Sequence, residues 1–372
     1  MTGRLALSEP ARIAVVMLSA LGDAVHVLPV VNALRRHWPG SRITWIIQPV
    51  PHRLVRGHAA VDEFLVFHRR HGGQGLRAFL ELRRQTEGRA FDLVLNLQVY
   101  LKAGVITGLL NSPVKLGFDR KRARDLNWAF TTHRIPPHAT QHVQDQYFEF
   151  LAHLGIDPRP VEWRLPFPAA DRAAQGAWFG RLERPACAVV AGTSKPAKNW
   201  APDRYARLLE HLYGDFGLQP VLVGGPSPME RAVADAVKGL VRVPVLDELG
   251  DDVRRLVWLL DGSALVVSPD TGPLHVARAL DRPVVGLFGY TNPKRYGPYG
   301  RPESVVDGYA RFPGEQYEAS MEHRADGMQR VTVAAAVAAV ERVLGSDPVR
   351  PAAGEPARAQ MPAPDPARDA GR

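Results

Sequence analysis

The chain has 372 residues, of which 45% are apolar and 23% charged, an ordinary globular composition with enough length for two hydrophobic cores. No run approaches the ~18 to 20 apolar residues of a membrane-spanning helix, and the N-terminus lacks the apolar core of a secretory signal, so we expect a cytoplasmic protein. The single cysteine, Cys187, excludes an intramolecular disulfide and a multi-cysteine metal site, and its apolar neighbours predict a buried core residue.

The net charge of +9 is distributed unevenly along the chain. Residues 1–165 hold 22 Lys and Arg against 13 Asp and Glu, whereas residues 166–372 hold 25 of each. The whole positive excess therefore lies in the first half. This asymmetry indicates an anionic partner, whether nucleic acid, a membrane surface or an acidic substrate, or else a solvated basic face with no partner.

Short β-branched runs alternate with helical patterns in the first half. Residues 12–18 predict a strand, residues 19–23 a tight loop, and the apolar spacing up to Leu34 a helix that stops at Trp38-Pro39-Gly40. Further strands are predicted at residues 43–47, 61–67 and 91–97, with a helix at 76–84. Strands that alternate with helices predict a largely parallel sheet covered on both faces.

A second series follows the proline-rich passage at residues 158–168, which we interpret as a linker. Strands are predicted at residues 186–191, 219–223, 265–268 and 283–288, and helices at 202–213, 229–238, 253–260 and 271–280. The sequence therefore predicts an α/β protein with two similar domains, residues 1–165 and 166–345, and a ligand cleft between the carboxyl ends of two sheets. Residues 346–372, with six prolines and no aromatic residue, predict a disordered tail.

The first candidate motif is Ser19-Ala20-Leu21-Gly22-Asp23, between the first strand and the first helix. Gly22 lets the backbone come close to a ligand, and the Asp23 carboxylate at the mouth of the cleft could accept a proton. Asp is also a favoured N-cap, so spacing alone leaves Asp23 as either a helix cap or a general base. The loop lacks Gly-x-Gly-x-x-Gly, and no Walker A pattern occurs, which disfavours nicotinamide and P-loop sites.

The second candidate motif runs from Ala191 to Pro202, directly after a predicted strand. Thr193 and Ser194 can donate hydrogen bonds to phosphate oxygens, and the lysines supply a compact positive charge. A polar loop before a helix explains the same residues without a ligand. The motif is therefore a phosphate site or a simple connection.

The third candidate motif is Ser268-Pro269-Asp270-Thr271-Gly272-Pro273-Leu274-His275. Thr271 and Gly272 would put free backbone amides at a helix N-terminus, which favours a diphosphate. Asp270 would hydrogen-bond sugar hydroxyls, or simply cap the helix. The sequence has no Asp-x-Asp, no His-Glu-x-x-His and no clustered His and Cys, so we expect neither a metal ion nor a cofactor.

Together these motifs resemble family 9 glycosyltransferases, the lipopolysaccharide heptosyltransferases. The resemblance rests on L-S-A-L-G-D, on G-T-S-x(3)-K-x-W-x-P and on S-x-D-T-G-P-L-H-x-A-x-A-L-x-x-P-V-V-x-L-F-G, and it covers about residues 12–345. Residues 115–124 and 127–130, with the Asp23-Ala24-Val25-His26 run, look most like the heptosyltransferase I branch.

The resemblance implies a GT-B fold, in which two Rossmann-like domains face each other across a cleft and the C-terminal one holds the nucleotide sugar. It implies that Asp23 is the general base that helps an acceptor hydroxyl attack ADP-L-glycero-D-manno-heptose with inversion, without a metal. The donor contacts that it implies are the diphosphate at Thr193, Ser194 and Lys198, the heptose at Asp270, the diphosphate region at Thr271, Gly272 and His275, and the adenosine ribose at Glu230.

The implied acceptor is Kdo-bearing lipid A at the inner leaflet, so the enzyme would be peripheral at the inner membrane. This acceptor carries phosphates and carboxylates, which suits a first half that holds all of the excess positive charge. Acceptor contacts are expected among the basic residues Arg120, Lys121, Arg122 and Arg124, which could equally be ordinary surface charges.

Two motifs depart from the family pattern. The pattern has L-F-G-P-T, often followed by Asp, whereas this chain has Gly289-Tyr290-Thr291-Asn292, and Ser194 stands where a second Thr is common. One alternative is a family member with another acceptor, either the second core heptose or a different glycan or protein. The other is a non-catalytic nucleotide or nucleic-acid binding protein that uses the basic half, although no nucleic-acid motif is present.

Overall fold

The computed structural model describes residue 5, residues 8–68 and residues 75–346. Two six-stranded parallel sheets organise this part of the chain, one in each half. The predicted tail lies outside the described residues, apart from Ser346 at the end of the last helix.

The first sheet consists of β1 (Arg12–Val16), β2 (Arg42–Ile47), β3 (Glu63–Val66), β4 (Leu93–Asn96), β5 (Val114–Gly117) and β6 (His133–Arg134). The strand order is β3-β2-β1-β4-β5-β6, and all neighbours pair in parallel. The central strands β1 and β4 are buried almost throughout, because helices cover both faces of the sheet.

The helices of the first half are α1 (Leu21–His37), α2 (Pro49–Val55), α3 (Gly75–Gln85), α4 (Leu101–Leu109) and α5 (Val143–Leu154). Helix α1 starts at the loop behind β1, contains Pro29 in its interior, and ends at His37, ahead of Trp38-Pro39-Gly40. Helix α5 ends at Gly155, whose φ of 77° is readily available only to glycine.

The second sheet consists of β7 (Ala186–Val190), β8 (Gln219–Val223), β9 (Leu246–Asp247), β10 (Leu265–Pro269), β11 (Val284–Phe288) and β12 (Val305–Asp307). Its order is β12-β11-β10-β7-β8-β9, again with parallel neighbours. Counted from its own first strand, this is the same order as in the first sheet. It is the Rossmann order, so the two halves repeat one topology.

The helices of the second half are α6 (Ala169–Phe179), α7 (Pro202–Gly214), α8 (Pro228–Leu240), α9 (Val253–Gly262), α10 (Gly272–Ala279), α11 (Pro293–Tyr296), α12 (Gly327–Arg330) and α13 (Val333–Ser346). Several begin with proline in the first turn, where the missing N–H costs no hydrogen bond. The predicted boundary between residues 165 and 166 falls between α5 and α6.

The two halves pack against each other along α1 and α10. Hydrogen bonds also cross between them. The Tyr299 hydroxyl donates to Asp145 Oδ1 at 2.7 Å, and Arg254 Nη1 donates to the Leu54 oxygen at 3.1 Å. Direct contacts between the two halves therefore border the cleft between the sheets at several points.

The predicted strands and helices of the second half match the structure to within one or two residues at most boundaries. Cys187 is buried in β7, as expected for a core residue, and burial raises the pKa of its thiol. Among the described residues, no helix combines the length and the apolar character that crossing a bilayer requires.

Candidate active site

The three sequence motifs meet where the two sheets face each other. In each sheet the strand order reverses next to the first strand, between β1 and β4 and between β7 and β10. Ligands of parallel α/β sheets bind outside the carboxyl ends of the strands at this point. The loops behind β1, β7 and β10 are the three motifs, so the topology brings them to one place.

Glycines make the approach of α1 to α10 possible. A Cβ atom on Gly22 would lie 2.8 Å from His275 Cδ2, and a Cβ atom on Gly272 would lie 3.0 Å from Leu21 Cβ. The first of these distances is shorter than Cβ atoms tolerate. The starts of the two helices are thus in direct contact across the cleft.

Asp23 lies in the first turn of α1. Its Oδ2 accepts the backbone N–H of Ala20 at 2.8 Å, which satisfies a donor at the start of the helix. Its Oδ1 lies 3.4 Å from the hydroxyl of Tyr147 on α5. The cap and the general base are therefore compatible, because one oxygen holds the helix and the other is available for a substrate proton.

The environment of Asp23 favours its protonated form. Burial is the main cause and raises the pKa of this carboxyl, although Ala20, His275 and Tyr147 act in the opposite direction. Burial also raises the pKa of Tyr147 well above its ordinary value, so this hydroxyl keeps its proton and can donate it to Asp23 Oδ1. A carboxylate with a raised pKa is a stronger proton acceptor than a free Asp.

Asp270 is the centre of a polar cluster on the opposite side. Its Oδ2 accepts hydrogen bonds from Lys198 Nζ at 2.6 Å and from the Thr291 hydroxyl at 2.7 Å. Its Oδ1 lies 3.8 Å from His275 Nε2. Burial alone would raise the pKa of Asp270, but His275 and Lys198 outweigh it and hold the pKa well below its usual range. Asp270 is therefore ionised at neutral pH.

Lys198 connects the second motif to the third. Besides Oδ2, its Nζ donates to the backbone oxygen of Asp270 at 3.1 Å. An ammonium group has three N–H donors, so one remains for a ligand. The Thr271 Oγ1 is buried and has no hydrogen-bond partner among the described residues, next to the first residue of α10, Gly272. A buried hydroxyl without a partner is suited to an incoming oxygen ligand.

His26 and Gln144 lie behind His275. Gln144 Nε2 donates to the backbone oxygen of His26 at 2.8 Å, so its Oε1 must be the atom 3.1 Å from His26 Nδ1. A carbonyl oxygen only accepts, so Nδ1 carries the proton of His26. Burial, with His275 and His142, lowers the pKa of His26 well below its ordinary value. His26 is thus neutral, with its ring centre 4.5 Å from that of His275.

The remaining residues predicted to bind the donor, Thr193, Ser194 and Glu230, differ in their surroundings. The Thr193 hydroxyl donates to the Lys195 oxygen at 2.7 Å and shapes its own loop, while Ser194 is exposed. Ser227 is the N-cap of α8, since its Oγ accepts the Glu230 N–H at 3.3 Å, and the Glu230 carboxylate accepts from Gly225 N–H at 3.0 Å and from the Ser227 hydroxyl at 2.5 Å. Glu230 therefore stabilises the helix start, and a ribose would have to share its oxygens.

The predicted acceptor arginines differ in their surroundings. Arg122 is committed to protein partners, since its guanidinium pairs with Asp119 and with Glu149 Oε2 at 2.7 Å. Arg120 is exposed, with its guanidinium carbon 3.9 Å from the centre of the Trp128 ring. Arg124 is exposed and reaches across the cleft to Met321. The structure favours Arg120 and Arg124 over Arg122 as groups that could meet an acceptor.

Several residues of this site escaped prediction from the sequence. Tyr147, His142 and Gln144 come from α5 or its start, a helix that no sequence pattern used above predicts, and Thr291 was noted only in a departure from the family pattern. The apolar spacing in residues 143–154 would have predicted α5. No local signal places Tyr147 beside Asp23, because the two are 124 residues apart and meet only through the sheet topology.

The model of glycosyltransferase family 9 (heptosyltransferase) matches residues 79–323 of the chain, which is well over half of its length. The chain belongs to glycosyltransferase family 9. This family 9 glycosyltransferase is similar to a lipopolysaccharide core heptosyltransferase of Haemophilus influenzae, with 26% identity over 81% of the chain and 85% of the relative. It is 28% identical to lipopolysaccharide heptosyltransferase 1 of Salmonella typhimurium, over 78% of the chain and 92% of the relative.

Solved structures support the same family 9 fold. A family 9 glycosyltransferase from Veillonella parvula superposes with a TM-score of 0.77 at 21% identity, over 92% of this chain and 99% of that one. An Escherichia coli heptosyltransferase solved with ADP gives a TM-score of 0.69 at 22% identity, over 89% and 99%. The predicted GT-B fold, with two Rossmann-like domains across a cleft, is confirmed.

Family membership decides between the classes of function left open by the sequence. The relatives are lipopolysaccharide heptosyltransferases and the matching family is that of heptosyltransferases, so the chain is a glycosyltransferase of the heptosyltransferase family. A nucleotide-sugar donor and a saccharide acceptor follow from that activity. A non-catalytic nucleic-acid binding protein is disfavoured.

Proposed function

We propose that this protein transfers heptose from ADP-L-glycero-D-manno-heptose to the Kdo region of the lipid A inner core, with inversion at the anomeric carbon. The observation that carries the proposal is the position of Asp23, with its raised pKa, against the cluster of Lys198, Asp270 and Thr271. A proton acceptor thus stands on one side of the cleft and donors for a diphosphate stand on the other.

The donor side is suited to a charged leaving group. The third N–H of Lys198, the hydroxyl of Thr271 and the amides at Gly272 can all donate to diphosphate oxygens. The ionised Asp270 can accept hydrogen bonds from heptose hydroxyls, with Thr291 and His275 holding it in place. Ser194 is exposed at the same loop, and the Glu230 carboxylate could accept from a ribose hydroxyl on lone pairs that Gly225 and Ser227 leave open.

The reaction needs one proton acceptor and one stabilised leaving group. The acceptor hydroxyl oxygen bonds to the anomeric carbon while the bond from that carbon to the diphosphate oxygen breaks. The diphosphate keeps the electron pair and leaves as ADP, and Asp23 takes the hydroxyl proton on the Oδ1 that faces Tyr147. Negative charge then develops on the diphosphate beside Lys198 and the start of α10. These groups stabilise that charge in the transition state and so lower the barrier.

We propose further that no metal ion or other cofactor takes part. The positive charge that a divalent ion would supply to the diphosphate is available from Lys198, and the hydrogen bonds from Thr271 and the α10 amides. Addition of a chelator to the assay tests this part, since a metal-dependent enzyme would lose its activity.

The acceptor side combines positive charge with exposed apolar residues. Arg120 and Arg124 are exposed in the loop behind β5, where phosphates and carboxylates of the acceptor can bind. Of the nine large apolar side chains that are exposed in the described part of the chain, six lie in the first half: Val50, Leu76, Leu80, Tyr100, Leu101 and Leu126. Apolar and basic groups on one half suit contact with the anionic inner leaflet of the membrane.

The test is a mass-spectrometric assay with ADP-heptose and Kdo-bearing lipid A. The wild-type protein should add one heptose, and Asp23→Asn should lose at least ~10²-fold in turnover while it still binds ADP-heptose. Asn keeps an oxygen for the Ala20 N–H, so the helix cap survives. Asp252→Asn is the matched control, because the exposed Asp252 also accepts backbone N–H groups at the start of a helix, α9, and lies outside the three motifs.

Three outcomes contradict parts of the proposal. Equal turnover by Asp23→Asn would show that another group takes the proton. Binding of ADP-heptose without transfer to this acceptor would move the search to the second core heptose, another glycan or a protein. Failure of the wild-type protein to bind ADP-heptose would remove the donor assignment altogether.

A further inference from the structure

Tyr290 and Asn292, which depart from the family pattern in the segment behind β11, both hold a distant stretch of chain. Asn292 is completely buried, and its side-chain amide donates to the Glu318 oxygen at 2.8 Å and to Ser320 Oγ at 3.1 Å. Its Oδ1 caps the start of α11 by accepting the N–H of Lys294. Asn292 therefore fastens a distant stretch of chain to the end of β11.

That stretch, residues 309–324, is called the strap. It leaves β12 and returns to the segment behind β11, where the N–H of Arg324 donates to the Tyr290 oxygen at 2.9 Å. An isolated antiparallel bridge joins Thr291 to His323. Since Thr291 also donates to Asp270, the strap is held directly against the polar cluster of the candidate donor site.

Tyr290 and His323 form a stacked pair where the strap ends. Their ring centres are 4.6 Å apart and their planes differ by 16°. His323 is exposed, and the charges that act on it are those of Lys195, Lys198 and Asp270. The stack thus borders the diphosphate and sugar positions of the proposed site.

The stack has the electronic character of an aromatic surface, not of a cation. Partial desolvation of the ring, and then the charges of Lys195 and Lys198, lower the pKa of His323, so its imidazole is neutral at pH 7. A neutral aromatic face is negative at its centre and attracts polarised C–H groups. One face of a pyranose ring presents several such C–H groups beside its hydroxyls.

We propose that the Tyr290–His323 stack is a platform for a pyranose ring, and that it determines which sugar the enzyme accepts. The inference rests on the proposed function, and it assigns a role to two residues that lie outside the diphosphate and base machinery. The platform packs on the C–H face of the sugar, while Asp270 binds its hydroxyls.

The pyranose could come from either substrate. Thr291 and Asp270 place the stack beside the heptose of the donor. Met321 of the strap contacts Arg124 of the basic loop, with 3.9 Å between Sδ and Nη2, so the strap also reaches the acceptor side. The donor sugar and the acceptor sugar both present pyranose C–H groups to the stack. Separate measurements of donor binding and acceptor binding show which of the two sugars it contacts.

The test compares Tyr290→Leu, which keeps an apolar side chain but loses the aromatic face, with Tyr290→Phe, which keeps the aromatic ring. Calorimetric titration measures the affinities for ADP-heptose and for ADP, and the transfer assay gives KM for the acceptor. Phe312→Leu is the matched control, because Phe312 is an exposed aromatic residue of the strap. Its affinities should equal those of the wild type.

If the donor sugar is the ligand, Tyr290→Leu should bind ADP-heptose ~10-fold more weakly and ADP unchanged, while Tyr290→Phe matches the wild type. If the acceptor sugar is the ligand, only the acceptor KM should rise by a similar factor. The proposal is overturned if neither quantity changes, or if ADP loses the same factor as ADP-heptose. A wild-type protein that binds no ADP-heptose would instead refute the proposed function, before any variant is compared.

Discussion

Lys198 Nζ lies 2.6 Å from Asp270 Oδ2 and 3.1 Å from the backbone oxygen of the same residue, although 72 residues separate them in sequence. This pair joins the loop behind β7 to the loop behind β10. The ion pair, together with the hydrogen bond from Thr291 to Asp270, fixes the distance between the two loops on either side of the proposed diphosphate position.

Replacement of Lys198 by Met should weaken both ligand binding and folding. Asp270 would remain ionised and buried with one partner fewer, which should lower the free energy of unfolding by about 2 kcal/mol. Loss of the ammonium beside the diphosphate should weaken ADP binding ~10-fold or more. Urea unfolding and calorimetric titration measure the two effects. Lys195→Met, at an exposed lysine in the same loop, should change neither.

Asp23→Asn should make the protein more stable at neutral pH. The pKa of Asp23 is raised in the folded state, so its ionised form is less favourable in the fold than in the unfolded chain. Stability from this group is present below its unfolded pKa and lost as the pH rises through the folded pKa. A neutral Asn avoids this loss. Thermal unfolding at pH 7 should show a higher Tm for the variant, and a lower Tm would contradict a destabilising carboxylate.

His142 should make the folded protein sensitive to mild acid. Its Nδ1 accepts the Gln144 N–H at 3.0 Å and its Nε2 donates to the Gly297 oxygen at 2.9 Å, and protonation of Nδ1 would remove the first of these hydrogen bonds. Burial is the main cause that lowers the pKa of His142 from 6.5 to about 4. Stability from this group is full above pH 6.5 and is lost as the pH falls towards 4, by ~3 kcal/mol in total.

His142→Asn tests this acid sensitivity. Asn is a good N-cap and can still accept the Gln144 N–H, but it does not titrate. Urea unfolding at pH 7 and pH 5 should show a smaller loss of stability on acidification for the variant than for the wild type. Equal losses in the two proteins would assign the acid sensitivity to other groups, with His26 the first to examine next.

Gly22→Ala should separate the starts of α1 and α10. The new Cβ would lie 2.8 Å from His275 Cδ2, so one of the two helices has to move. We expect a loss of about 1–3 kcal/mol in the free energy of unfolding together with a clear drop in kcat/KM. Gly176→Ala is the control, since its Cβ would meet nothing within 4 Å in α6. That change should stabilise the protein by about 0.5–1 kcal/mol.

Contact with an anionic membrane should depend on the exposed leucines of α3. Leu76 and Leu80 are four residues apart and share one helix face, near the exposed Arg77. In flotation with vesicles that contain phosphatidylglycerol, Leu76→Gln/Leu80→Gln should reduce the bound fraction several-fold. Leu240→Gln, at an exposed leucine of the second half, should leave it unchanged. Equal binding by all three proteins would place the membrane contact elsewhere.

The central strands and the loops directly behind them could be predicted from the sequence, because both depend on local patterns. Apolar runs such as residues 186–190 predicted the central strands, and the loops behind them contained Asp23, Lys198 and Asp270. Short edge strands escaped prediction, because β9 has only two residues and is exposed enough to lack an apolar run. Strand pairing, not composition, defines such an edge.

The partners of the site residues could not be read from the sequence. Whether Asp23 only caps a helix or could also take a proton depends on what surrounds its oxygens: Oδ2 accepts the Ala20 N–H, and Oδ1 faces Tyr147, which comes from another helix. Glu230 was expected only at a ribose, yet its oxygens already serve the start of α8. Hydrogen bonds between distant segments arise from three-dimensional packing, which no local pattern contains.

The unequal charge of the two halves gives the molecule an electrostatic polarity along the line from one sheet to the other. Near an anionic surface such a particle experiences a torque as well as an attraction, which turns the first half towards the surface before contact. The second half, with equal numbers of positive and negative residues, then faces the solution from which a small nucleotide sugar arrives. Added salt shortens the range of this steering to ~10 Å at 0.1 M, so encounters become less oriented as the ionic strength rises.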